Sequence, residues 1–452
     1  MGSREVHILG GGLVGALAAI YLAQNNLAVT VYEQRPDMRR TELPAGRSIN
    51  LAVTTRGWKA LEEVGLKEKA LELAIPMRGR MIHNLDDSTT FLPYGHRSEE
   101  VIHSVSRRAL NQLLLEAADS HNNVTLFFDQ VCTRYDVASS TLTFLDSRIT
   151  SERHVNATTL IATDGAWSVV RESMVSQTRN FNYSQAFLGH GYKELTIPAS
   201  PDGGFSMETN ALHIWPRQSY MLIALPNLDG SFTCTLFLPY EGPESFAGLT
   251  TTEEVLAFFG RAFPDALALM PNLVDDFFAN PTGSMVTIKC HPWHMDGTVA
   301  LLGDAAHAIV PFFGQGMNCG FEDCTALGDW LKNIPQDSPP DWADLFATLE
   351  SARKPNSDAI ADMAVENFFE MRDTVADPKF QLKKQIGFEL ERRFPAKFVP
   401  RYSMVVFRPD ISYAEAQRRS VLQDKLLEEL SADITSLGQV NWDHAAQLVA
   451  AL

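Results

Sequence analysis

A chain of 452 residues, 45% apolar and 21% charged, has the apolar content to bury a large core in two or three domains, which excludes general disorder. Its formal net charge of -17 repels phosphate backbones and anionic lipid, excluding nucleic-acid or membrane-surface binding as the main activity. The five cysteines (Cys132, Cys234, Cys290, Cys319 and Cys324) show no Cys-x-x-Cys or Cys/His metal spacing, so neither a disulfide framework nor a metal site is expected and a reducing cytoplasm fits.

Val6 to Leu9 reads as a short apolar strand, reached so early that no signal peptide is expected. Gly10-x-Gly12-x-x-Gly15 follows, opening an apolar helix over Leu13 to Gln24, and a second strand runs from Ala28 to Glu33. Glycines at these spacings allow a tight turn, close approach of backbone to a pyrophosphate, and packing of helix on sheet. The helix N-terminus adds free N–H groups for phosphate. Glu33 stands where a carboxylate accepts from ribose hydroxyls and would repel the extra phosphate of NADP. A chance glycine cluster is the competing reading, but the strand, helix, second strand and acid together disfavour it. This turn specifies a dinucleotide, FAD or NAD, without choosing between them.

Further along, Thr159 to Ala162 is a buried strand leading to Asp164. Leu212 to Pro216, Tyr220 to Leu225 and Phe232 to Leu238 alternate as strands of a sheet with one buried face. Thr298 to Leu302 is another buried strand, ending in Gly303-Asp304-Ala305-Ala306-His307 and then Pro311-Phe312-Phe313-Gly314-Gln315-Gly316-Met317-Asn318. A strand-ending Asp can accept from sugar-like hydroxyls, and a Gly-x-Gly opening a helix is a second anion-ready N-terminus. Two such turns suit an extended cofactor with a ribityl chain. His307 reads as a structural histidine at a turn, and Cys319 and Cys324 as helix packing. Beyond Asn318 the pattern is helical, with a loop from Pro335 to Pro340. The tail from Leu426 to Leu452 is broken by Glu428, Glu429, Asp433 and Asp443, so no membrane anchor is expected there.

The Gly10 turn, the run Ala162-Thr163-Asp164-Gly165-Ala166-Trp167-Ser168-Val169-Val170-Arg171 and the Gly303-Asp304 segment resemble the three fingerprints of class A flavoprotein monooxygenases. The resemblance implies an α/β fold: a Rossmann-like FAD-binding domain of the glutathione-reductase type, interrupted by a mainly β substrate domain and followed by a helical region. The expected division is 1–75, 100–180 and 285–335 for FAD, 76–99 and 181–284 for substrate, and 336–452 for helices covering the active site. It also implies FAD contacts from Gly10, Gly12, Leu13, Val14 and Gly15 at the first turn, and from Tyr32, Glu33, Gln34 and Arg35 at the second strand's end. Ala52, Arg107, Val131 and Cys132 join them, with Arg107 reaching the phosphates. Asp164 and Val169 lie near the pyrophosphate, Asp304 meets the ribityl chain, and Gly314, Gly316, Met317 and Asn318 face the flavin ring. NADPH is expected to bind transiently without a domain of its own, and O2 is the co-substrate.

Gly46-Arg47-Ser48-Ile49-Asn50-Leu51-Ala52, Pro76 to His83, Leu212 to Arg217, Pro311 to Asn318 and Phe398 to Met404 together resemble the kynurenine 3-monooxygenase family, from about Val6 to Phe407. That likeness implies hydroxylation of L-kynurenine to 3-hydroxy-L-kynurenine. An Arg and a Tyr suit its α-carboxylate. By resemblance Arg80 and Tyr94 hold that carboxylate, with Asn367 and Tyr402 completing the polar end. Leu212, Ile223, Leu225 and Phe237, with Phe312, Phe313 and Met371, would wall the ring. Phe313 stands where some relatives carry histidine, so no hydrogen bond is expected from it. No catalytic nucleophile is expected, because the flavin carries the difficult chemistry. Taken without the resemblance, Arg80 reads as a surface or salt-bridge arginine and the apolar walls as ordinary sheet core.

Three alternatives stay open at this point. A sibling hydroxylase of another aromatic acid or of a substituted kynurenine would keep the FAD motifs and change the polar contacts. A flavin halogenase would show Trp-x-Trp-x-Ile-Pro, whereas Ile214-Trp215-Pro216 lacks the first Trp. A non-catalytic binding protein on the same scaffold need not keep a reactive flavin. A monomer or a homodimer is expected.

Overall fold

The computed structural model describes residues 4–41, 50–146, 151–335, 338–374 and 377–452. Of the motif at 46–52, Gly46 to Ile49 lie outside the described residues. The chain divides into two compact units, the first comprising 1–73, 105–187 and 286–361 and the second 74–104, 188–285 and 362–452.

In the first unit a six-stranded sheet runs in the order His294–Met295, Val299–Leu301, Leu160–Ala162, Glu5–Leu9, Ala28–Tyr32, Val124–Phe127. All neighbours are parallel except the His294–Met295 edge. Its strands are short and apolar because both faces are covered: Val6, Ile8, Val29, Val31 and Leu160 to Ala162 are all buried. The helix Leu13–Gln24 is buried along nearly its whole length, so it shows an almost continuous run of apolar residues. Two glycines let neighbouring helices approach. A Cβ on Gly320 would lie 2.6 Å from Val14, and one on Gly328 would lie 2.3 Å from the Tyr21 ring. The first strand sits where the chain order reverses, with Leu160–Ala162 on one side and Ala28–Tyr32 on the other. In open parallel sheets ligands bind outside the carboxyl ends of strands at such a point, which is where Gly10 stands.

The second unit carries most of a seven-stranded sheet, ordered Gly283–His291, Asn182–Ile197, Phe232–Pro239, Tyr220–Pro226, Ala211–Arg217, Gly79–His83, Thr89–Pro93. Its strands alternate between two apolar faces. Leu195, Trp215, Leu222, Leu236 and their neighbours pack on helical segments bearing Phe258, Phe259 and Phe263. The remaining positions point to the opposite face. A separate helical cluster contains Leu382, Ile386, Leu390, Phe398, Leu426 and Leu430. The helix Trp342–Phe369 passes directly into a π-helical turn, Glu370–Thr374, an irregularity common at functional sites.

The strands expected from sequence are present, with bounds shifted by a residue or two: Ala211–Arg217, Tyr220–Pro226 and Phe232–Pro239. Among the described residues no helix is long and apolar enough to cross a membrane.

Candidate functional site

In the first unit the glycine turn is a cradle that only glycine can build. Gly10 has φ 104°, and a Cβ there would lie 2.5 Å from the Thr163 carbonyl oxygen. One on Gly15 would lie 1.9 Å from the Gly10 oxygen. Gly12 differs, because nothing lies within 4 Å of its Cβ position, which leaves open space beside the turn. Leu13 and Val14 open the helix whose first N–H groups point at that space.

Glu33 is buried and braces the turn. It accepts from the Gly11 N–H at 2.8 Å through Oε2, and from the Arg35 N–H and Nε at 2.9 and 2.7 Å through Oε1. A carboxylate has about four acceptor sites, so capacity for a ribose hydroxyl remains. The Tyr32 ring turns inward, stacked on Phe127 at 5.7 Å and close to Phe144 at 4.7 Å, so only its backbone stands at the strand end. Gln34, Arg35, Arg107 and Asp304 are exposed, while Ala52, Val131, Cys132 and Val169 are half-buried. Burial pushes the Cys132 thiol up to about 12, so it is not a nucleophile at neutral pH.

Asp164 receives the Val170 N–H at 3.4 Å on Oδ2, while its Oδ1 is buried with no hydrogen-bond partner. Burial holds its carboxyl above the usual range, countered by the donors of the following turn. An acceptor left unsatisfied at that depth has capacity for a further donor.

The loop before the helix Gly316–Leu331 is fixed by a residue whose side chain the sequence did not single out. The Asn318 carboxamide accepts from the Thr54 N–H at 3.0 Å and donates to the Ala52 and Gly314 carbonyls at 2.9 and 2.7 Å. It therefore binds the strand Asn50–Val53 to the turn at Gly314, which has φ 63°. Phe312 and Phe313 are buried in a short 3-10 turn, Pro311–Phe313, in this unit. The open space at Gly12, the free acceptor on Asp164, exposed Asp304 and the amide-lined start of Gly316–Leu331 fit an extended dinucleotide such as FAD.

In the second unit the structure brings together Arg80, Tyr94 and Tyr402 from distant parts of the chain. The two phenol rings stack at 5.2 Å with an interplanar angle of 7°. The Arg80 guanidinium carbon lies 5.0 Å from the Tyr402 ring centre and 5.9 Å from that of Tyr94. Arg80 is 3% exposed and Tyr94 1%, and neither Arg80 Nε nor the Tyr94 hydroxyl has a hydrogen-bond partner within normal reach. Arg80 is thus no surface arginine. Burial pushes the Tyr402 phenol up to about 12, so both tyrosines are hydrogen-bond donors at neutral pH.

Two charged neighbours were not legible in the sequence. Glu370, in the π-helical turn, acts electrostatically on Arg80 and pairs with Arg401 at 2.9 Å. Lys384 is pulled down to about 7, first by burial and then by the like charge of Arg80. Asn367 is buried one turn before Met371, and its Nδ2 lies 3.4 Å from the Met371 sulfur.

Strand register places the expected apolar walls beside Arg80. Leu212 is the register partner of Arg80, Ile223 pairs Ile214, and Phe237 pairs Met221. By the period of two, Arg80, Leu212, Ile223, Leu225 and Phe237 share one face. None of them belongs to the core on the opposite face. Leu212 and Ile223 are only half-buried.

A family profile described as "FAD binding domain" matches residues 3–364. The chain is 50% identical over 444 residues to "Kynurenine 3-monooxygenase" of Myxococcus xanthus, covering 98% of this chain and 94% of the relative. It is 47% identical over 436 residues to "Kynurenine 3-monooxygenase" of Dictyostelium discoideum, covering 95% of this chain and 93% of that one. Among solved structures it resembles 2-methyl-3-hydroxypyridine-5-carboxylic acid oxygenase at TM-score 0.65 and 21% identity, over 83% of this chain and 94% of that one. It likewise resembles p-nitrophenol 4-monooxygenase from Pseudomonas putida at TM-score 0.65 and 16% identity, over 94% and 99%. The structural matches speak to the fold alone.

Proposed function

The chain belongs to the kynurenine 3-monooxygenase family of FAD-binding proteins, and on that premise we propose that the Arg80 cluster is its substrate-recognition site. The reaction is hydroxylation of L-kynurenine to 3-hydroxy-L-kynurenine, with NADPH, a proton and O2 consumed and NADP+ and water released. Held by the Gly10 to Gly15 turn and the Gly314 to Asn318 segment, FAD would supply the redox chemistry between NADPH and O2.

The observation that carries the assignment is the buried Arg80 guanidinium, its Nε without a partner, beside the stacked Tyr94 and Tyr402 rings on an apolar sheet face. A planar guanidinium binds a carboxylate through two parallel hydrogen bonds, and the tyrosine adds a third. Asn367 and Tyr402 complete the polar end. Leu212, Ile223, Leu225, Phe237 and Met371 offer the dry surface that an aromatic ring needs. Phe312 and Phe313, buried in the turn preceding Gly314, are proposed as further apolar substrate contacts.

For the cofactor, we assign the pyrophosphate to the backbone at Gly10, Gly12 and Gly15, with Arg107 as its cation. Glu33 takes the ribose, Asp164 a neighbouring donor, Asp304 the ribityl hydroxyls, and the N–H groups from Gly316 to Asn318 the flavin ring. Five unpaired cysteines are compatible with a cytoplasmic setting.

The test is NADPH oxidation with and without L-kynurenine, with the product identified by mass. Strong stimulation and a product heavier by one oxygen atom support the reading. If a phenolic acid does both and kynurenine neither, the substrate assignment is wrong.

A further inference from the structure

Beneath the Gly303-Asp304 turn of the first unit, five ionisable side chains form one continuous chain. His307 Nε2 lies 2.6 Å from Asp323 Oδ2, and Arg353 Nε lies 2.8 Å from Asp323 Oδ1. Arg353 Nη1 continues to Glu322 Oε2 at 3.0 Å, and Arg56 Nη1 reaches Glu322 Oε1 at 2.5 Å. His307, Asp323, Arg353 and Arg56 are all buried, and Glu322 is half-buried. Asp323 also accepts the Gly303 N–H at 3.1 Å, and Arg353 donates to the Cys319 carbonyl at 3.1 Å.

Burial by itself would strip the proton from His307, but Asp323 outweighs it and holds the imidazole well above its ordinary range. The other groups facing His307 are the Cys319 thiol, 3.9 Å from Nδ1, and the Trp293 ring at 5.1 Å; neither brings a competing positive charge. Asp323 accepts from three donors and stays ionised, its carboxyl held low by His307 and Arg353 against the pull of burial. Three cations and two anions leave one positive charge. Packing alone does not require it, since a neutral pair of apolar residues would fill the same space at no desolvation cost.

The position of this charge suggests its use. Asp323 holds the peptide N–H directly before Asp304, and it lies seven residues beyond Gly316 in the helix Gly316–Leu331, roughly 10 Å from the helix start. A flavin that has accepted a hydride carries one more negative charge than before. A buried positive charge at that range is weakly screened and favours the charged form, as does the positive end of the helix. We propose that the chain His307–Asp323–Arg353–Glu322–Arg56 is an electrostatic positioning device, whose one net positive charge makes the site bind reduced flavin more tightly than oxidised flavin. The proposal rests on the assignment of Asp304 and the Gly316 to Asn318 amides to the flavin.

The experiment compares the holoenzyme with His307→Gln, which keeps a donor toward Asp323 and removes the charge, and with Glu322→Gln, which removes an anion. The readouts are the two-electron flavin reduction potential and FAD affinity in the oxidised state. His307→Gln is expected to lower the preference for reduced over oxidised flavin about tenfold, which is about 30 mV downward for a two-electron couple. Glu322→Gln is expected to move the potential upward. Potentials unmoved in both variants, or displaced in the same direction, would overturn the proposal, because loosened packing has no reason to reverse sign. A third variant, Asp304→Ala, separates this from the cofactor assignment: unchanged FAD affinity there would overturn the assignment itself.

Discussion

Replacing Arg80 by Met removes the charge while roughly keeping the volume between the Gly79–His83 strand and the stacked tyrosines. A substrate carboxylate facing this guanidinium would lose two charge-assisted hydrogen bonds, each contributing about 1.5–3 kcal/mol. Because Arg80 is 3% exposed, water cannot replace them. Lys384, relieved of the like charge that helps pull it down to about 7, would recover a proton and offset part of the loss. A net cost of about 3 kcal/mol is therefore expected, or roughly a hundredfold in affinity. The carboxylate is remote from the hydroxylated carbon and is held alike in ground and transition states, so the loss falls on KM with kcat nearly unchanged. Steady-state NADPH oxidation gives both constants, and a titration followed by flavin absorbance gives Kd directly. FAD content should match the parent protein, since Arg80 belongs to the second unit and the proposed cofactor contacts to the first. A KM raised less than about fivefold, or loss of FAD with KM unchanged, would refute the assigned role; Arg80→Lys should fall between the two, because it keeps the charge without the fork.

The Gly12→Ala and Gly15→Ala variants should separate ligand space from packing space. Gly12→Ala leaves the apo-protein melting temperature unchanged and weakens FAD binding at least tenfold, whereas Gly15→Ala lowers the apo-protein melting temperature itself; equal effects in both would contradict the geometry. Asn318→Ala strands a buried N–H and two carbonyls, at a cost of about 2–4 kcal/mol, read by urea denaturation with and without excess FAD. Lys384 carries a stability-linked proton. Its folded value near 7 lies below the unfolded value near 10.4, so the unfolded chain binds the extra proton between them and stability rises with pH across that window. The penalty is complete below about pH 7, so Lys384→Met should stabilise the protein there and flatten the rise, as urea melts at several pH values will report.

The cofactor cradle was legible because its signal is local. Gly10, Gly12, Gly15 and Glu33 fall within one strand–helix–strand unit, where spacing along the chain is nearly spacing in space. The helix over Leu13 to Gln24 was placed to the residue for the same reason. The part played by the Asn318 side chain was hidden, because its partners Thr54 and Ala52 are more than 250 residues away in the chain. Arg80, Tyr94, Lys384 and Tyr402 come from four separate segments, so no periodicity links them; the family likeness named three of them and gave no sign of Lys384.

The apolar walls show a different limit. Alternation tells the two faces of a strand apart only when one is polar, and here both are apolar. Leu222 and Leu236 face the phenylalanine-rich core, while Ile223 and Phe237 face the other way. In sequence the two sets are interchangeable. Register decides between them, because Arg80 is opposite Leu212, and a buried charge on a sheet face marks that face as the one built for a polar partner. A one-residue slip of Ala211–Arg217 against Gly79–His83 would exchange the faces and place Arg80 opposite a core position. The partnerless Nε of Arg80 therefore depends on strand pairing before it depends on any ligand. Substitutions that disturb that pairing should abolish substrate recognition together with folding, whereas Leu212→Ala, at a half-buried position on the Arg80 face, should weaken substrate binding and leave the phenylalanine core intact.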